Sequence, residues 1–187
     1  MTERLCLVHY HEIGLKGKNR SIFENQLVTN LHRALHGFDV AQIARISGYV
    51  VVEASDGQAG EEMAAAIRQV PGVARVSLAY RCGLDEGEYV AAALRALGEA
   101  GEFSTFKVHA RRSSTTYPLH TLEMNQLVGS ALCEAFPDKK VDVHHPDVTV
   151  VVHVVQGSVY VYAASAPGVG GLPVGTAGKV VTLLSSG

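Results

Sequence analysis

The chain has 187 residues, of which 47% are hydrophobic and 18% charged, and its formal net charge is -2 at pH 7. This composition supports a buried core in one or two domains and excludes an intrinsically disordered chain. The balance of charge argues against an indiscriminate nucleic-acid binder but is compatible with a local basic patch. No apolar run reaches membrane-spanning length and the polar N-terminus is not typical of a signal peptide, so a cytoplasmic protein without membrane attachment is expected.

The cysteines, Cys6, Cys82 and Cys133, are scattered and have no C-x-x-C spacing. Their odd number and their spacing argue against a disulfide framework and against a zinc site. We therefore expect reduced and buried thiols, in keeping with a cytosolic protein.

Residues 1–80 are predicted to form a β-α-β-β-α-β series. The pattern Ser21-x-x-Glu24 is typical of a capping box and predicts a helix that stops near Gly37. Ser47-Gly48 lies between two apolar runs and predicts a hairpin. The predicted strands cover 4–10, 40–46, 49–54 and 73–80, and the second helix covers 61–70. This order is that of a ferredoxin-like domain and places the chain in the α+β class.

A second unit, of α/β type and with a different element order, is predicted to start near Asp85. Asp85 is expected to cap its first helix, and Thr121 is expected to cap a second helix that ends near Phe136. Its strands are predicted at 103–110, 148–155 and 158–163, the last two joined by a turn at Gln156-Gly157. The nearly continuous apolar sequence of 148–155 predicts a strand covered on both faces.

The composition changes after Ser165, where the chain becomes rich in glycine. Residues 166–187 are expected to form a linker and then a strand at 179–184 that runs into a Ser/Gly end. Such an end is typical of an interrupted domain, so we expect a fragment or a chain cut at a domain boundary. The predicted domains are 1–80, 81–165 and 166–187.

The sequence HEIGLKGKNR, residues 11–20, is the first candidate site. Lys16, Lys18, Asn19 and Arg20 accompany glycines directly before a predicted helix. Glycines allow close approach of a ligand, and cations beside free backbone N–H groups favour an anion such as a nucleic-acid phosphate. The alternative is a solvated loop whose lysines only provide solubility, and charge alone favours this alternative.

The second candidate site lies in residues 106–118. Lys107, His109 and Arg111 alternate and should share one face of a strand, with Arg112 directly after them and Tyr117 as a stacking surface. The equally weighted alternative is an edge strand that carries charge to prevent aggregation. Lys139 and Lys140 could extend the patch, although lysines after a helix more often bind its last carbonyl groups.

The sequence gives less support for metal binding or catalysis than for the two cationic sites. His9-x-His11 and His144-His145 do not provide the three or four convergent ligands of a zinc site, so no metal is expected. The glycine-rich residues 168–180 fail the P-loop pattern, because Val180 stands where Ser or Thr would bind magnesium. No catalytic constellation is present, and no catalytic residue is assigned.

Three stretches together resemble the tRNA 4-thiouridine synthases, which are sulfurtransferases also linked to thiamine thiazole biosynthesis. Residues 12–20 are similar to the N-terminal hallmark of this family. Residues 168–187 are similar to its linker and to the first strand of its pyrophosphatase-loop (PP-loop) domain. A weaker similarity, to the THUMP RNA-binding domain, involves 106–112, Tyr117-Pro118 and 146–148.

The resemblance implies that a ferredoxin-like domain and a THUMP domain together bind tRNA at the acceptor stem and 3′ end. A PP-loop domain would then activate uridine 8 with ATP and magnesium, and a cysteine desulfurase would load sulfur on a cysteine of that later domain. The chain alone is therefore expected to be non-catalytic. The ATP loop would begin at Leu183, Leu184, Ser185, Ser186 and Gly187. The two cationic stretches, represented by Lys18 and Arg112, are expected to form one cradle for RNA.

Two positions depart from the family pattern, and other functions stay open. Ser186 stands where the PP-loop has glycine, and Thr115 stands where the THUMP pattern often has lysine. The main alternative is a THUMP module serving another tRNA-modifying enzyme, and a further one is a small-molecule regulatory domain. The sequence also leaves open whether the chain forms a homodimer.

Overall fold

A computed structural model of the chain describes residues 2–113 and 118–178, apart from the Lys16 side chain. Its strands are β1 (Glu3–His9), β2 (Val40–Ile46), β3 (Tyr49–Ala54), β4 (Arg75–Cys82), β5 (Thr105–Arg112), β6 (Lys140–Val141), β7 (Val148–Val155), β8 (Ser158–Tyr162) and β9 (Ala166–Pro167). Its α-helices are α1 (Arg20–Ala34), α2 (Glu61–Arg68), α3 (Glu86–Gly98) and α4 (Thr121–Ala135). A 3-10 helical segment, Glu12–Asn19, precedes α1.

The first unit has the predicted ferredoxin-like order, and the α+β class is confirmed. Strand β1 is antiparallel to both β3 and β4, and β2 pairs with β3 through the predicted hairpin. Helices α1 and α2 cover one face of this half-sheet. Leu31 and Ile67 are fully buried there and belong to the same cluster as Val8 and Val52.

The predicted capping box at the start of α1 is wrong. The helix begins at Arg20 after Asn19, and no side chain caps it. The Glu24 carboxylate has stronger partners than a backbone N–H, because it accepts hydrogen bonds from the Arg20 guanidinium at 2.7 Å and from the Tyr10 hydroxyl. Gly17 has φ 51 in the preceding segment, a conformation that glycine adopts without strain.

The second unit contains the predicted helices and strands with small shifts. Asp85 caps α3 by accepting a hydrogen bond from the Glu88 N–H at 3.2 Å, as predicted. The cap of α4 is His120, not Thr121, and its N–H donates to Glu123 at 2.6 Å. Strand β5 ends at Arg112, two residues beyond the prediction, because it pairs in parallel with β7 as far as Val154.

Over the described residues the strands form one nine-stranded sheet that crosses both units, in the order β2-β3-β1-β4-β8-β7-β5-β6 with β9 also beside β4. Along β4, Val76 packs with the core under α2, and Tyr80 and Cys82 pack with the core under α3. Alternate residues of a strand share one face. The helices of both units therefore cover the same face of the sheet.

The helix-free face folds back on itself. Strands β3 and β7 are four places apart in the sheet, which corresponds to about 19 Å in a flat sheet. The rings of Tyr49 on β3 and His153 on β7 are nevertheless 5.5 Å apart. A third core lies between the two half-sheets, and it contains Leu7, Val51 and Val155. The two units are therefore joined by a shared apolar core as well as by the sheet.

The predicted linker is docked on the first unit over its described part. Gly170 exchanges backbone hydrogen bonds with Val73 and Gly72, both at 2.8 Å, and the Val174 carbonyl accepts one from Asn30 at 3.0 Å. A Cβ on Gly168 would collide with the Val73 carbonyl oxygen, so only glycine fits there. The predicted strand at 179–184 lies outside the described residues.

The cysteines differ in exposure, and the predicted burial is wrong for one of them. Cys6 and Cys82 are buried, and burial raises the pKa of both thiols to about 12. Cys133 is exposed, because it lies beside the buried Leu132 on the outer side of α4. Within the described ranges, no helix is long and apolar enough to cross a membrane.

Candidate RNA-binding surface

A groove rich in cations runs from the start of α1 across the boundary between the two units. Its first part is lined by Lys18, Arg20 and Arg45, and it meets the middle part at Ser47-Gly48. The middle part shares Arg75 and Arg111 with the last part, which Lys107 and His109 also line. We call the whole feature the basic groove and its middle part the seam recess.

The first part of the groove carries a net positive charge. Arg20 donates to Glu24 at 2.7 Å and to the Tyr10 hydroxyl at 2.9 Å, and Arg45 lies 3.4 Å from the same Glu24 carboxylate. Burial opposes ionisation of Glu24, but the bonds from Tyr10 and Arg20 outweigh it and lower its pKa. Two guanidinium groups thus share one carboxylate, and the exposed Lys18 adds a further charge.

The seam recess joins the two units through aromatic and imidazole rings. The Tyr49 ring makes edge contacts with His9 at 5.1 Å and with His153 at 5.5 Å between centroids. The Arg111 guanidinium of the second unit lies 3.4 Å from the Tyr49 hydroxyl of the first. Arg111 is also the register partner of His153.

Both seam histidines are buried and neutral at pH 7. Burial is the main cause that lowers the pKa of His9 to about 4, and the charges of Arg75 and Arg111 add to it. Burial and Arg111 likewise lower the pKa of His153 to about 4. Each ring has a hydroxyl partner, Ser77 for His9 at 3.1 Å and Ser113 for His153 at 2.9 Å.

The last part of the groove follows the alternation of β5. Lys107, His109 and Arg111 lie on the helix-free face, whereas Phe106 and Ala110 are buried on the other face. Burial lowers the pKa of His109, and Arg111 and Lys107 lower it further. The cations predicted on one strand face are thus brought together, and the structure adds His9 and Arg75 from the first unit beside them.

Arg112 does not belong to this face, so the predicted cradle of Lys18 and Arg112 is wrong in that residue. Its register places it with the helix-facing side chains of β5. Its guanidinium donates to the Leu119 carbonyl at 2.9 Å and lies 3.4 Å from His120 Nδ1, which supports the start of α4. Arg111 lies in the groove with Lys107 and His109, on the strand face where the alternation had placed it.

The other predicted residues are placed as follows. Lys139 donates to the Phe103 carbonyl at 2.7 Å and stands 4.8 Å above the Phe103 ring, so it supports a loop. Lys140 is exposed on β6 beside β5, and Asn19 is exposed at the start of α1. The Lys16 side chain, Tyr117 and the predicted ATP loop Leu183, Leu184, Ser185, Ser186 and Gly187 lie outside the described residues.

Sequence reasoning did not assign Arg45, Tyr49, Arg75 or His153 to the groove, and it considered His9 only as a metal ligand. The hairpin signal Ser47-Gly48 was a clue to Arg45 and Tyr49, because both flank it. No local pattern indicated Arg75 or His153, since they meet only when the helix-free face folds back on itself.

Family comparisons agree with this architecture. Residues 5–77 match the ThiI ferredoxin-like domain, and residues 90–164 match the THUMP domain. A curated relative, the probable tRNA sulfurtransferase of Thermoanaerobacter pseudethanolicus, is 37% identical over 183 residues. That alignment covers 98% of this chain and 47% of the relative, so the chain spans about half the length of the curated relatives it matches.

Solved structures give the same result. The crystal structure of a 4-thiouridine synthetase–RNA complex with bound ATP matches with a TM-score of 0.82 and 32% identity, covering 98% of this chain and 46% of that one. The protein PH1313 from Pyrococcus horikoshii matches with a TM-score of 0.81 and 29% identity, covering 92% of this chain and 58% of that one. The chain therefore carries the ThiI ferredoxin-like domain and the THUMP domain, and it is homologous to tRNA sulfurtransferases over 98% of its length.

Proposed function

We propose that this chain is the tRNA-binding part of an ATP-dependent tRNA sulfurtransferase that makes 4-thiouridine at position 8, and that the basic groove holds the acceptor stem and 3′ end. In this proposal 1–80 and 81–165 bind RNA together in the cytoplasm, and 166–187 lead towards the ATP-binding domain. The observation that carries it is the continuity of the groove, whose lining passes from Lys18 through Arg75 to Lys107.

The chemistry of the groove suits a structured RNA. Proteins read double-stranded RNA, such as an acceptor stem, largely through shape, phosphate and ribose contacts. Lys18, Arg75, Lys107 and Arg111 line the groove, and among the described residues none of them forms an ion pair with a carboxylate. Four such cations predict a log–log salt slope of about -2.8 to -3.6 for binding. The negative net charge elsewhere would discourage binding outside the groove.

Thiolation is proposed only for a longer protein. ATP and magnesium would be bound by a PP-loop domain, and a cysteine desulfurase would supply sulfur to a cysteine of that domain. The thiols of Cys6 and Cys82 have pKa values of about 12, so they carry little thiolate at neutral pH and would be poor sulfur carriers. The chain alone is expected to bind tRNA without thiolating it, and sulfur transfer by these 187 residues would contradict this.

Adjacent arginines provide a matched test of the groove. We expect Arg111→Gln to weaken tRNA binding and to reduce the salt slope by about 0.7 to 0.9. Arg112→Gln, one residue away on the opposite strand face, should leave the slope unchanged. Fluorescence anisotropy with labelled tRNA over a salt series measures both, and circular dichroism verifies that each variant is folded. Equal slopes for Arg111→Gln and the wild type would remove the groove from the proposal.

The alternative function is a THUMP module that serves another tRNA-modifying enzyme. The match of residues 5–77 to the ThiI ferredoxin-like domain favours the sulfurtransferase, because a THUMP match alone does not distinguish between these enzymes. The test is 4-thiouridine formation by the chain continued through a PP-loop domain.

A further inference from the structure

We propose that the seam recess is a subsite for one phosphate group, held at the same time by Arg75 of the first unit and Arg111 of the second. The inference rests on the proposed function in one respect: the phosphate is taken to be a phosphodiester of the bound RNA. What is new is the position of the subsite across the boundary and the coupling between units that follows from it.

The recess has positive charge that no described carboxylate compensates. Arg75 and Arg111 are both exposed to it, and no Asp or Glu is among the described residues that line it. Arg4, Arg20, Arg45 and Arg81 each have a glutamate partner, whereas neither seam arginine has one within the part of the chain that the structure describes. An anion between the two guanidinium groups would neutralise this positive charge and accept charge-assisted hydrogen bonds from both.

The geometry brings both arginines to one point. Arg75 is the register partner of His9 on β1, and His9 is the register partner of Tyr49 on β3. Arg111 approaches the same Tyr49 hydroxyl to 3.4 Å. Arg75, Arg111 and His9 all line the recess, and they line the adjoining last part of the groove as well.

The remaining lining offers neutral hydrogen-bonding groups rather than competing anions. Ser113 and His153 lie 2.9 Å apart at one wall, and the backbone of Ser47-Gly48 forms another. The recess has a volume of about 360 Å³, roughly twelve times the ~30 Å³ share of one water molecule. A phosphate fits there together with part of a ribose.

A shared phosphate makes the two arginines interdependent. Each arginine alone would hold the phosphate in a strained and incomplete geometry, so removal of the first would take away most of what the second contributes. Independent contacts to different phosphates would instead give effects that multiply, since distant sites are additive in free energy. Non-additivity between residues of different units is therefore the signature of this subsite.

The test is a double-mutant cycle on tRNA binding by the full chain. Arg75→Gln and Arg111→Gln should each reduce affinity by roughly tenfold or more, the range for hydrogen bonds to charged groups. The double variant should be only slightly weaker than either one. The matched cycle of Lys18→Gln with Arg111→Gln, two groove residues that lie in different parts, should be multiplicative. Multiplicative effects for Arg75 and Arg111 would overturn the subsite while leaving the proposed function intact.

Inorganic phosphate provides the second measurement and distinguishes the source of the anion. Nuclear magnetic resonance of labelled histidine should show saturable shifts of His9 and His153 with phosphate, absent in Arg75→Gln, and prior addition of tRNA should prevent them. Saturable phosphate shifts that tRNA leaves untouched would identify a site for free phosphate and overturn the RNA assignment. If wild-type chain fails to bind tRNA, the proposed function is refuted, and these shifts still decide whether the phosphate site exists.

Discussion

Two buried histidines should make the chain lose stability when the pH falls from about 7.5 to about 5. His9 and His153 are each only 6% exposed, and in the folded state the pKa of each is lowered from 6.5 to about 4. The two imidazoles are therefore protonated near pH 6.5 in the unfolded chain but only near pH 4 in the folded chain. Their contribution to the free energy of unfolding is fully present above the unfolded-state pKa, and it is lost as the pH falls towards the folded-state pKa.

The magnitude follows from the two pKa values. Between pH 7.5 and pH 5 each histidine contributes a loss of about 2 kcal/mol, and the pair contributes about 4 kcal/mol. This is a large part of the 5–15 kcal/mol typical of a folded domain. The charges of Arg75 and Arg111 act on His9, and that of Arg111 acts on His153, so both oppose formation of the imidazolium ions in the folded state.

Urea unfolding at the two pH values measures this effect through the midpoint at constant m-value. The His9→Gln, His153→Gln double variant should be less stable at pH 7.5 but should lose most of the pH dependence in this range. His32→Gln, at an exposed position of α1, is the matched control and should keep the wild-type dependence. A double variant that loses stability with pH as steeply as the wild type would refute the reasoning.

Three further predictions concern the groove, the docked segment and the thiols. Glu24→Gln should destabilise the chain by about 1–3 kcal/mol, because it removes the partner of two arginines, yet it should tighten tRNA binding at low salt; weaker binding by a folded variant would contradict this. Gly168→Ala should release the docked segment from the Val73 carbonyl, seen as faster hydrogen exchange at the neighbouring amides, and unchanged exchange would count against the contact. Cys133 should react with iodoacetamide in the folded chain, whereas the two buried cysteines should react only in urea, and equal rates would show that burial does not protect them.

Local signals predicted the elements well where few partners competed. The Ser47-Gly48 hairpin and the Asp85 cap needed only neighbours in sequence, and both are present. The cap predicted from Ser21 and Glu24 failed, because Tyr10 and Arg20 offer the Glu24 carboxylate charge-assisted partners that the pattern does not reveal.

Only those groove residues whose position depends on a single strand could be predicted from the sequence. Alternation alone placed Lys107 and Arg111 on one strand face, since that property belongs to a single strand. Arg75 and His153 depend on the fold-back of a sheet whose strands come from both ends of the chain. Pairing between distant segments leaves no periodic trace in either segment, so these residues could be found only in three dimensions.

Strand β4 has neighbours from both units: β1 on one side, and β8 and β9 on the other. Because both half-sheets depend on β4, this strand cannot unfold in one unit without also breaking strand pairing in the other. Loss of β8 would bare the edge of the first half-sheet, and loss of β1 would bare the second. Both units should accordingly melt as a single foldon, and a damaging substitution deep in either one should lower the protection of amides in the other.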